Sequence, residues 1–340
     1  MCGLYYDIQF LYLSKYITVL SYHFKASIFF MDYKLLEQLS CKKGNNLLFR
    51  IGSCSVFFSE YNHMLLAIYY CLIHDIGFIL SSQRSNIAFE KGWQDYFEPF
   101  CIEMNSKLDI VFNYRYNVKP WNLKTKLLEV FYKSWLKVNN INYITSDIFE
   151  IIRNIDVHEY VKIPGTNIKG SCIDCLRIIN QTIYRLNPEI MKEITSRKKK
   201  LQLPSNYVGV HIRRGDKKTE IPDTLTDNYI NKLEDITDIR DCFVATDDYR
   251  VITELKNKYT SWNFYTLTPE KNLGYSQKKY NNASRKTKYN NLLDLFTDIE
   301  ISSNSKFFVG TLSSNIGMYL YLRLPKGRFI GIDYNEWRIW

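Results

Sequence analysis

Cysteine is too sparse and too scattered in this 340-residue chain to form a disulfide scaffold. Eight cysteines occur, and of these only Cys172 and Cys175 form a C-x-x-C pair. A zinc site needs more ligands, but neither a second C-x-x-C nor an H-x-x-x-H motif follows the pair. We therefore expect two small thiols on a buried helix or one local disulfide, and we expect no metal site.

The sequence also lacks a convincing signal peptide, because a basic n-region and a small-x-small cleavage site are both missing. The apolar stretch at residues 8–30 is interrupted by Lys15, His23 and Lys25. A spanning helix needs about 20 predominantly apolar residues. We expect residues 1–44 to be an N-terminal extension that is at most a weak membrane anchor.

Neither repeats nor low-complexity tracts occur, and the composition of 46% hydrophobic and 24% charged residues is that of a globular protein. The length favours two domains. A net charge of +10 favours an anionic partner, such as a nucleic acid, a phospholipid surface or a phosphorylated small molecule. Nucleic acid is not expected, because the basic runs SRKKK (196–200) and SRKTK (284–288) contain no aromatic residue for base stacking.

The order of elements in the first half indicates a parallel sheet. Residues 47–58 predict a strand and a turn, residues 59–78 predict a helix with Ser59 as its N-cap, and residues 77–82 predict a second strand. A strand–helix–strand order of this kind favours parallel pairing. Residues 120–200 are predicted to be mainly helical.

Apolar stretches after residue 200 predict a second sheet. They are YVGVHI (207–212), DCFVATD (241–247), WNFYTL (262–267), KFFVGT (306–311) and RFIGIDY (328–334). Helical patterns lie between them, as is typical of a Rossmann-type unit. We predict an α/β protein with two Rossmann-like domains, residues 45–200 and 201–340, and a ligand in the cleft beyond the carboxyl ends of the strands.

A dense charge cluster, GVHIRRGDKKTE (209–220), begins in the first of these strands. Arg213 and Arg214 follow the strand directly, and guanidinium groups suit a diphosphate because they form bidentate bonds that strengthen as a leaving phosphate gains charge. Two lysines add positive charge, and Glu220 lies near enough to act as a base. The alternative is a solvated basic surface loop.

Three motifs resemble those of the α1,2- and α1,6-fucosyltransferases and the related rhizobial chitin-oligosaccharide fucosyltransferases. HIRRGDK (211–217) resembles the first motif, FVATDD (243–248) the second, and LLDLFTDIEISSNSKFFVGTLSSNIG (292–317) the third. The resemblance is good over residues 203–320 and less detailed over residues 45–105. It implies the GT-B type of fold, in which two Rossmann-like domains face a central cleft.

The resemblance implies that GDP-fucose is the donor substrate. His211 and Asp298 match residues that read the guanine, whereas Arg213 matches the arginine on the β-phosphate. Arg214 matches the structural neighbour of that arginine. Without the family resemblance, two alternatives are open. His211 could be a core histidine with its hydrogen bonds satisfied, and Asp298 could be a helix-face acid paired with a lysine.

Three residues of the third motif match the part of the family's site that contacts the diphosphate and fucose. Ser314 and Asn315 lie where the family has a serine and a glutamine, so Asn315 has a reach shorter by one methylene. Ser313 precedes them. Ser313 and Ser314 also suit a helix N-cap pair, which is compatible with binding because helix N-termini are anion sites.

The catalytic residues implied by the resemblance lie in the charge cluster. Glu220 matches the family's proposed base when a one-residue gap follows Lys217, and Tyr229 keeps the spacing from that glutamate. Asp216 and Lys217 match residues on the acceptor side. Arg213 and Lys217 are expected to stabilise charge in the transition state.

The second motif supplies Asp247 and Asp248, which match the family's paired acids and are expected to support the site. The alternative is that both only cap the following helix. Gly215 replaces the threonine of the animal α1,6 enzymes, which points to the broader family.

The resemblance therefore implies an inverting glycosyltransferase that transfers L-fucose from GDP-fucose to a hydroxyl of a glycan acceptor. No D-x-D metal motif is evident, so the reaction is expected to be metal-independent, with no cofactor. The alternative is an inactive family member that binds a GDP-sugar or a glycan, and Glu220 decides between the two. We expect a cytoplasmic protein, with a Golgi-type membrane-anchored enzyme as the alternative.

Overall fold

A computed structural model of the protein describes residues 33–52, 54–116, 122–215 and 226–339. The apolar stretch at residues 8–30 lies outside the described residues. In the described ranges, no helix has both the length and the apolar character needed to cross a membrane.

The first half of the described chain is built around a parallel sheet. Its elements are α1 (Tyr33–Gln38), β1 (Asn46–Arg50), α2 (Phe57–Ile73), β2 (Gly77–Ser81), β3 (Ile102–Glu103), α3 (Asp109–Phe112), α4 (Leu123–Val138), β4 (Ile141–Ile144), α5 (Thr145–Arg153), β5 (Tyr160–Lys162), β6 (Lys169–Ser171), α6 (Cys172–Ile183) and α7 (Pro188–Lys200). The sheet order is β3-β2-β1-β4, with parallel pairing throughout. The predicted strand–helix–strand unit is therefore confirmed, while β5 and β6 form a separate antiparallel pair.

The start of α2 differs from the prediction. The helix begins at Phe57, and Val56 rather than Ser59 occupies the N-cap position without a side-chain cap. Phe57 and Phe58 are both buried in the core. Burial of two large aromatic side chains favours extension of the helix toward its N-terminus even without a polar cap.

The second half contains the other parallel sheet. Its elements are β7 (Val208–Ile212), α8 (Thr226–Glu234), β8 (Asp241–Thr246), α9 (Arg250–Lys258), β9 (Asn263–Tyr265), α10 (Gln277–Asn282), α11 (Arg285–Ser302), β10 (Phe308–Gly310), α12 (Asn315–Arg323) and β11 (Phe329–Gly331). The order is β11-β10-β7-β8-β9, and every pair is parallel. All five strands predicted after residue 200 are confirmed, as is the prediction of two Rossmann-like sheets.

The strand order of the second sheet reverses beside β7. The chain moves from β7 through β8 to β9 on one side, and it then returns to place β10 and β11 on the other. Ligands of open α/β sheets bind at such a reversal, beyond the carboxyl ends of the strands. The topology therefore predicts a ligand site at the carboxyl ends of β7 and β10.

Aromatic side chains join the helices of the two halves. The ring of Phe296 on α11 makes an edge-on contact with Phe57 on α2, with centroids 4.9 Å apart. Tyr319 on α12 lies against Phe58, with centroids 4.4 Å apart. These residues belong to one continuous core cluster, which contains residues from both halves. The helices behind the second sheet are thus fixed on the helices of the first.

Polar contacts also connect the carboxyl-end loops of the two halves. Gln277 Nε2 donates to the carbonyl of Cys54, just beyond β1, at 2.9 Å. Asn86 Nδ2 donates to Asn281 Oδ1 at 2.9 Å, and Lys288 Nζ donates to Asn86 Oδ1 at 2.8 Å. The loops that follow β1 and β2 therefore face the segment between β9 and α11.

The C-x-x-C pair lies on α6, where Cys172 and Cys175 are both buried as free thiols. Burial raises the pKa of the Cys175 thiol to about 11 and that of Cys172 to about 12. The expectation of two small buried thiols is confirmed. Among the described residues, no group of three or more His, Cys, Asp or Glu side chains is arranged to hold a metal ion.

Candidate functional site

The parallel sheet brings the three sequence motifs to one edge. His211 of β7 pairs with Ala245 of β8, and Ile212 pairs with Thr246, so both strands end at the same level. The loop that contains Ser313 follows β10, which pairs directly with β7. Helix α11, which carries Asp298, packs against β7 and β8.

The Asp247 carboxylate organises the loop after β7. It accepts backbone N–H groups from Arg214 at 2.8 Å, from Gly215 at 3.0 Å and from Tyr275 at 3.3 Å. Its Oδ2 atom lies 3.9 Å from Arg213 Nε. Asp247 therefore fixes the backbone that presents Arg213, and the interpretation that it only caps the next helix is wrong.

Gly215 is required by this arrangement. A Cβ atom at residue 215 would lie 2.6 Å from the carbonyl oxygen of Tyr275 and 2.7 Å from its backbone nitrogen. Contacts that short with backbone atoms are not relieved by a side-chain rotation. The glycine that replaces the animal enzymes' threonine thus accompanies close packing of the loop after β7 on residues 274–275.

Asp248 has a different role, because it bonds to Arg250 at the start of α9, where Tyr249 occupies the N-cap position without a side-chain cap. Its buried carboxylate accepts the backbone N–H of Arg250 at 3.0 Å and the Arg250 Nε–H at 2.9 Å, at the start of α9. These bonds from Arg250 hold the pKa of Asp248 below its usual value. The two adjacent acids therefore have different roles. Asp247 holds the loop after β7, and Asp248 bonds to Arg250 at the start of α9.

The two adjacent arginines also have different contacts. Arg214 Nη1 lies 2.7 Å from Glu254 Oε2, and Arg214 Nη2 donates to Thr226 Oγ1 at 3.2 Å. Arg213 lies over the ring of Tyr275, with its Cζ atom 5.5 Å from the centroid. Arg214 is thus an anchor between α8 and α9. Neither Glu254 nor Tyr275 was predicted, because both contacts are remote along the chain.

His211 and Asp298 each contain a buried polar atom that lacks a hydrogen-bond partner within the described ranges. The atoms are His211 Nδ1 and Asp298 Oδ1. Buried polar atoms are normally paired, so these two atoms are available to a ligand that offers matching hydrogen-bond groups. The interpretations of a satisfied core histidine and of a lysine-paired acid are both wrong for these atoms.

Burial shifts the pKa values of both groups toward the neutral form. Burial, assisted by the Arg213 charge, lowers the pKa of His211 to about 3, so this imidazole is neutral at physiological pH. Burial, together with the Asp294 charge, raises the pKa of Asp298 well above its usual value. Asp298 is therefore a carboxyl group whose ionisation is unfavourable without a hydrogen-bond donor.

Asp333 organises the loop after β10 in the way that Asp247 organises the loop after β7. Its carboxylate accepts the N–H groups of Leu312 at 2.7 Å and Ser313 at 3.0 Å. Ser314 is the N-cap of α12, and its Oγ accepts the N–H of Gly317 at 2.9 Å. The predicted N-cap role of Ser314 is confirmed. Asp333 was not predicted, although it is an acid near the end of the fifth apolar stretch (328–334) and this position could have indicated it.

Asn315 is the first residue of α12, and its carbonyl accepts an N–H from Asn62 on α2 at 3.0 Å. Tyr229 is buried in the core between α8 and the sheet. Asp216, Lys217 and Glu220 lie outside the described residues.

The carboxyl end of β1 carries a second charged cluster that the sequence did not predict. Buried Arg50 donates from Nη1 to the carbonyl of Asn113 at 3.2 Å, and its Nη2 has no partner among the described residues. Glu60 accepts the N–H of Gly52 at 2.9 Å and pairs with Arg115 at 2.6 Å. This cluster went unrecognised because Arg50 ends an otherwise apolar strand.

Comparison with known proteins identifies the segment that carries these features. Residues 177–321 match the family model described as alpha-(1,6)-fucosyltransferase N- and catalytic domains. These residues are therefore similar to the fucosyltransferase family. The matched range contains His211, Arg213, Asp247 and Asp298, and the family resemblance inferred from the motifs is confirmed.

The fold of this chain is similar to those of solved fucosyltransferase structures. The selenomethionine form of fucosyltransferase NodZ from Bradyrhizobium has a TM-score of 0.50 at 12% identity, over 86% of this chain and 96% of that one. That likeness shows the GT-B fold. POFUT1 in complex with GDP has a TM-score of 0.47 at 11% identity, over 86% of this chain and 100% of that one.

We expect Asp247→Asn to loosen the cleft loop. The amide nitrogen of asparagine cannot accept an N–H, so part of the bonding to residues 214, 215 and 275 is lost. Hydrogen bonds to charged groups are worth about 1.5–3 kcal/mol. Amide hydrogen exchange over residues 213–215 and at residue 275, followed by mass spectrometry, should therefore quicken at least about tenfold. Asp248→Asn is the matched control and should affect the start of α9 instead. Equal exchange in the two variants would contradict the assignment.

We expect Asp298→Asn to stabilise the ligand-free protein at pH 7. Because the folded-state pKa of Asp298 is raised, the wild type loses stability as pH rises and this carboxyl ionises. The variant should gain about 1 kcal/mol or more at pH 7 in urea unfolding, the scale of an unmet buried polar group. The gain should shrink as pH falls and the wild-type carboxyl becomes protonated. Asp235→Asn, at an exposed position, is the control. A variant less stable than wild type at pH 7 would refute this electrostatic interpretation.

Proposed function

We propose that the protein is an inverting glycosyltransferase that transfers L-fucose from GDP-fucose to a hydroxyl group of a glycan acceptor. The match of residues 177–321 to the alpha-(1,6)-fucosyltransferase family model supports the reaction class. The observation that carries the donor assignment is the pair of unpartnered buried polar atoms, His211 Nδ1 and Asp298 Oδ1, at the predicted nucleotide site.

In this proposal, Asp298 reads guanine. A carboxylate accepts hydrogen bonds from the guanine N1–H and exocyclic amine, and both donors would favour the ionised form that burial now opposes. His211 is neutral at physiological pH, so its ring offers one donor and one acceptor to the base. Uracil presents a different edge, and the same pair of groups would select against it.

The diphosphate would lie at the strand-order reversal, between the ends of β7 and β10. Arg213 supplies a permanent positive charge, and the N-terminal end of α12 at Asn315 adds the positive end of the helix dipole. The loops that present these groups are held by Asp247 and Asp333. The positive charges would replace a divalent cation, so binding and transfer are proposed to be metal-independent.

Catalysis is assigned by the family resemblance to the loop after β7. Glu220 would accept the proton of the acceptor hydroxyl while that oxygen attacks the anomeric carbon from the face opposite GDP. The bond to the diphosphate breaks, and Arg213 and Lys217 stabilise the charge that develops on GDP. Asp216 would line the acceptor side.

The two halves would divide the substrates between them. Residues 201–340 would bind the donor, and residues 45–200 would form the acceptor side. The charged cluster of Arg50, Glu60 and Arg115 supports this division, because it lies at the carboxyl end of the first sheet and β1 leads toward the cleft. Sugar hydroxyls are suitable partners for such a mixed-charge surface.

GDP should bind in the presence of a metal chelator, as measured by calorimetry. Arg213→Ala should weaken GDP binding by about 2–3 kcal/mol, because charge-assisted bonds to phosphate are lost. Arg328→Ala, which removes an exposed arginine at the amino end of β11, is the matched control and should bind GDP like the wild type. A strict requirement for Mg²⁺ or Mn²⁺, or competition by UDP as strong as that by GDP, would refute the donor assignment.

Glu220→Gln should lower kcat by roughly 10²–10⁴-fold, the usual effect of losing a general base, with little change in GDP affinity. The measurement is GDP release from GDP-fucose with a panel of glycan acceptors, at saturating donor. Asp216→Asn is the matched control in the same loop and should retain more activity. Turnover by the Glu220 variant within a few-fold of wild type would move the base elsewhere. A wild type that binds GDP-fucose but fucosylates no acceptor would indicate the inactive, binding-only alternative.

A further inference from the structure

Helix α4 carries an apolar stripe on its solvent-facing side. The stripe is formed by residues whose exposures range from 55% to 77%, namely Leu123, Leu127, Val130, Phe131 and Val138. At 3.6 residues per turn these positions fall on one face of the helix. Single exposed apolar side chains are ordinary, but a continuous stripe on a folded protein marks an interaction surface.

The fold of α4 does not depend on this stripe, because the helix is docked by its other face. Tyr132 is buried and donates its hydroxyl hydrogen to Asp109 at 2.8 Å. Trp135 and Leu136 pack on the cluster around β4. The side chain of Asn122 caps the helix by accepting the N–H of Thr125 at 2.9 Å. The stripe therefore projects from a helix that is already anchored.

Lysines border the stripe on both sides. Lys126, Lys133 and Lys137 are exposed along one border, and Lys124 is exposed on the other. The helix contains one acid, Glu129, which pairs with Lys133 at 2.7 Å. An apolar stripe between lysines is the pattern of helices that lie in the interface of an anionic membrane.

We propose that this face of α4 binds the surface of a membrane that contains anionic lipids. The apolar side chains would enter the boundary between headgroups and acyl chains, and the lysines would contact lipid phosphates. Sixteen residues give a contact about 24 Å long. The net charge of +10 acts in the same direction. Pairing with a second copy through this face is disfavoured, because it would bring the lysine borders of two helices together.

The test uses the full chain and sedimentation with lipid vesicles. Vesicles of phosphatidylcholine with about 30% phosphatidylserine, a content chosen to give a strongly anionic surface, should bind the wild type, and pure phosphatidylcholine should bind it less. The double variant Leu127→Glu with Phe131→Glu should reduce partitioning at least about tenfold, because each exposed apolar group becomes charged. Tyr160→Glu, at an equally exposed aromatic residue on β5, is the matched control and should bind like the wild type.

A second variant tests the electrostatic part separately. Lys126→Gln, Lys133→Gln and Lys137→Gln together should remove most of the preference for anionic vesicles, since each lysine near such a surface contributes roughly a fivefold change in partitioning. Raising the salt concentration should weaken wild-type binding in the same direction. Unchanged thermal unfolding midpoints in both variants would show that the fold is retained.

Three results would overturn the proposal. The first is equal vesicle binding by the wild type and the Leu127/Phe131 double variant, which would assign binding to another segment, such as the apolar residues 8–30. The second is no binding of the wild type to either vesicle. The third is a wild-type dimer that the double variant makes monomeric without any vesicle binding, which would make the stripe a self-association face.

Discussion

The site depends on one carboxylate, that of Asp247, which accepts backbone N–H groups from the loop after β7 and from the segment after β9. Without this acceptor, three backbone N–H groups would lose their hydrogen-bond partner. The backbone that presents Arg213 would then be held less firmly. Asp333 serves the neighbouring loop by the same means. The loops that follow β7 and β10 are therefore each held by one carboxylate.

Much of the fold could be predicted because buried parallel strands are continuous apolar runs that stand between helical patterns. All five strands of the second sheet have that form. The short strands β3, β5 and β6 do not, because each contains a charged residue and is mostly half-buried or exposed. The start of α2 was misplaced because tertiary burial of Phe57 outweighed the local capping signal of Ser59.

The candidate site was predictable in part, for a related reason. Motif spacing indicated which residues gather at the carboxyl ends of the strands, but it did not indicate how neighbours divide their roles. Asp247 differs from Asp248, and Arg213 from Arg214, because adjacent side chains leave a strand end in different directions and meet different partners. Glu254 and Asp333 were missed since their contacts are long-range, and Arg50 was missed since its strand is otherwise apolar.

Helix α12 connects the loop held by Asp333 to the core of the first half. Its first turn lies at the loop held by Asp333, while Tyr319 farther along the helix is packed against Phe58 of the first half. A rigid helix of nine residues transmits a tilt at one end to the other over about 14 Å. Any hinge movement between the two sheets would thus displace Ser314 and Asn315 relative to β7, so that the spacing of the two halves and the position of the α12 N-terminus change together.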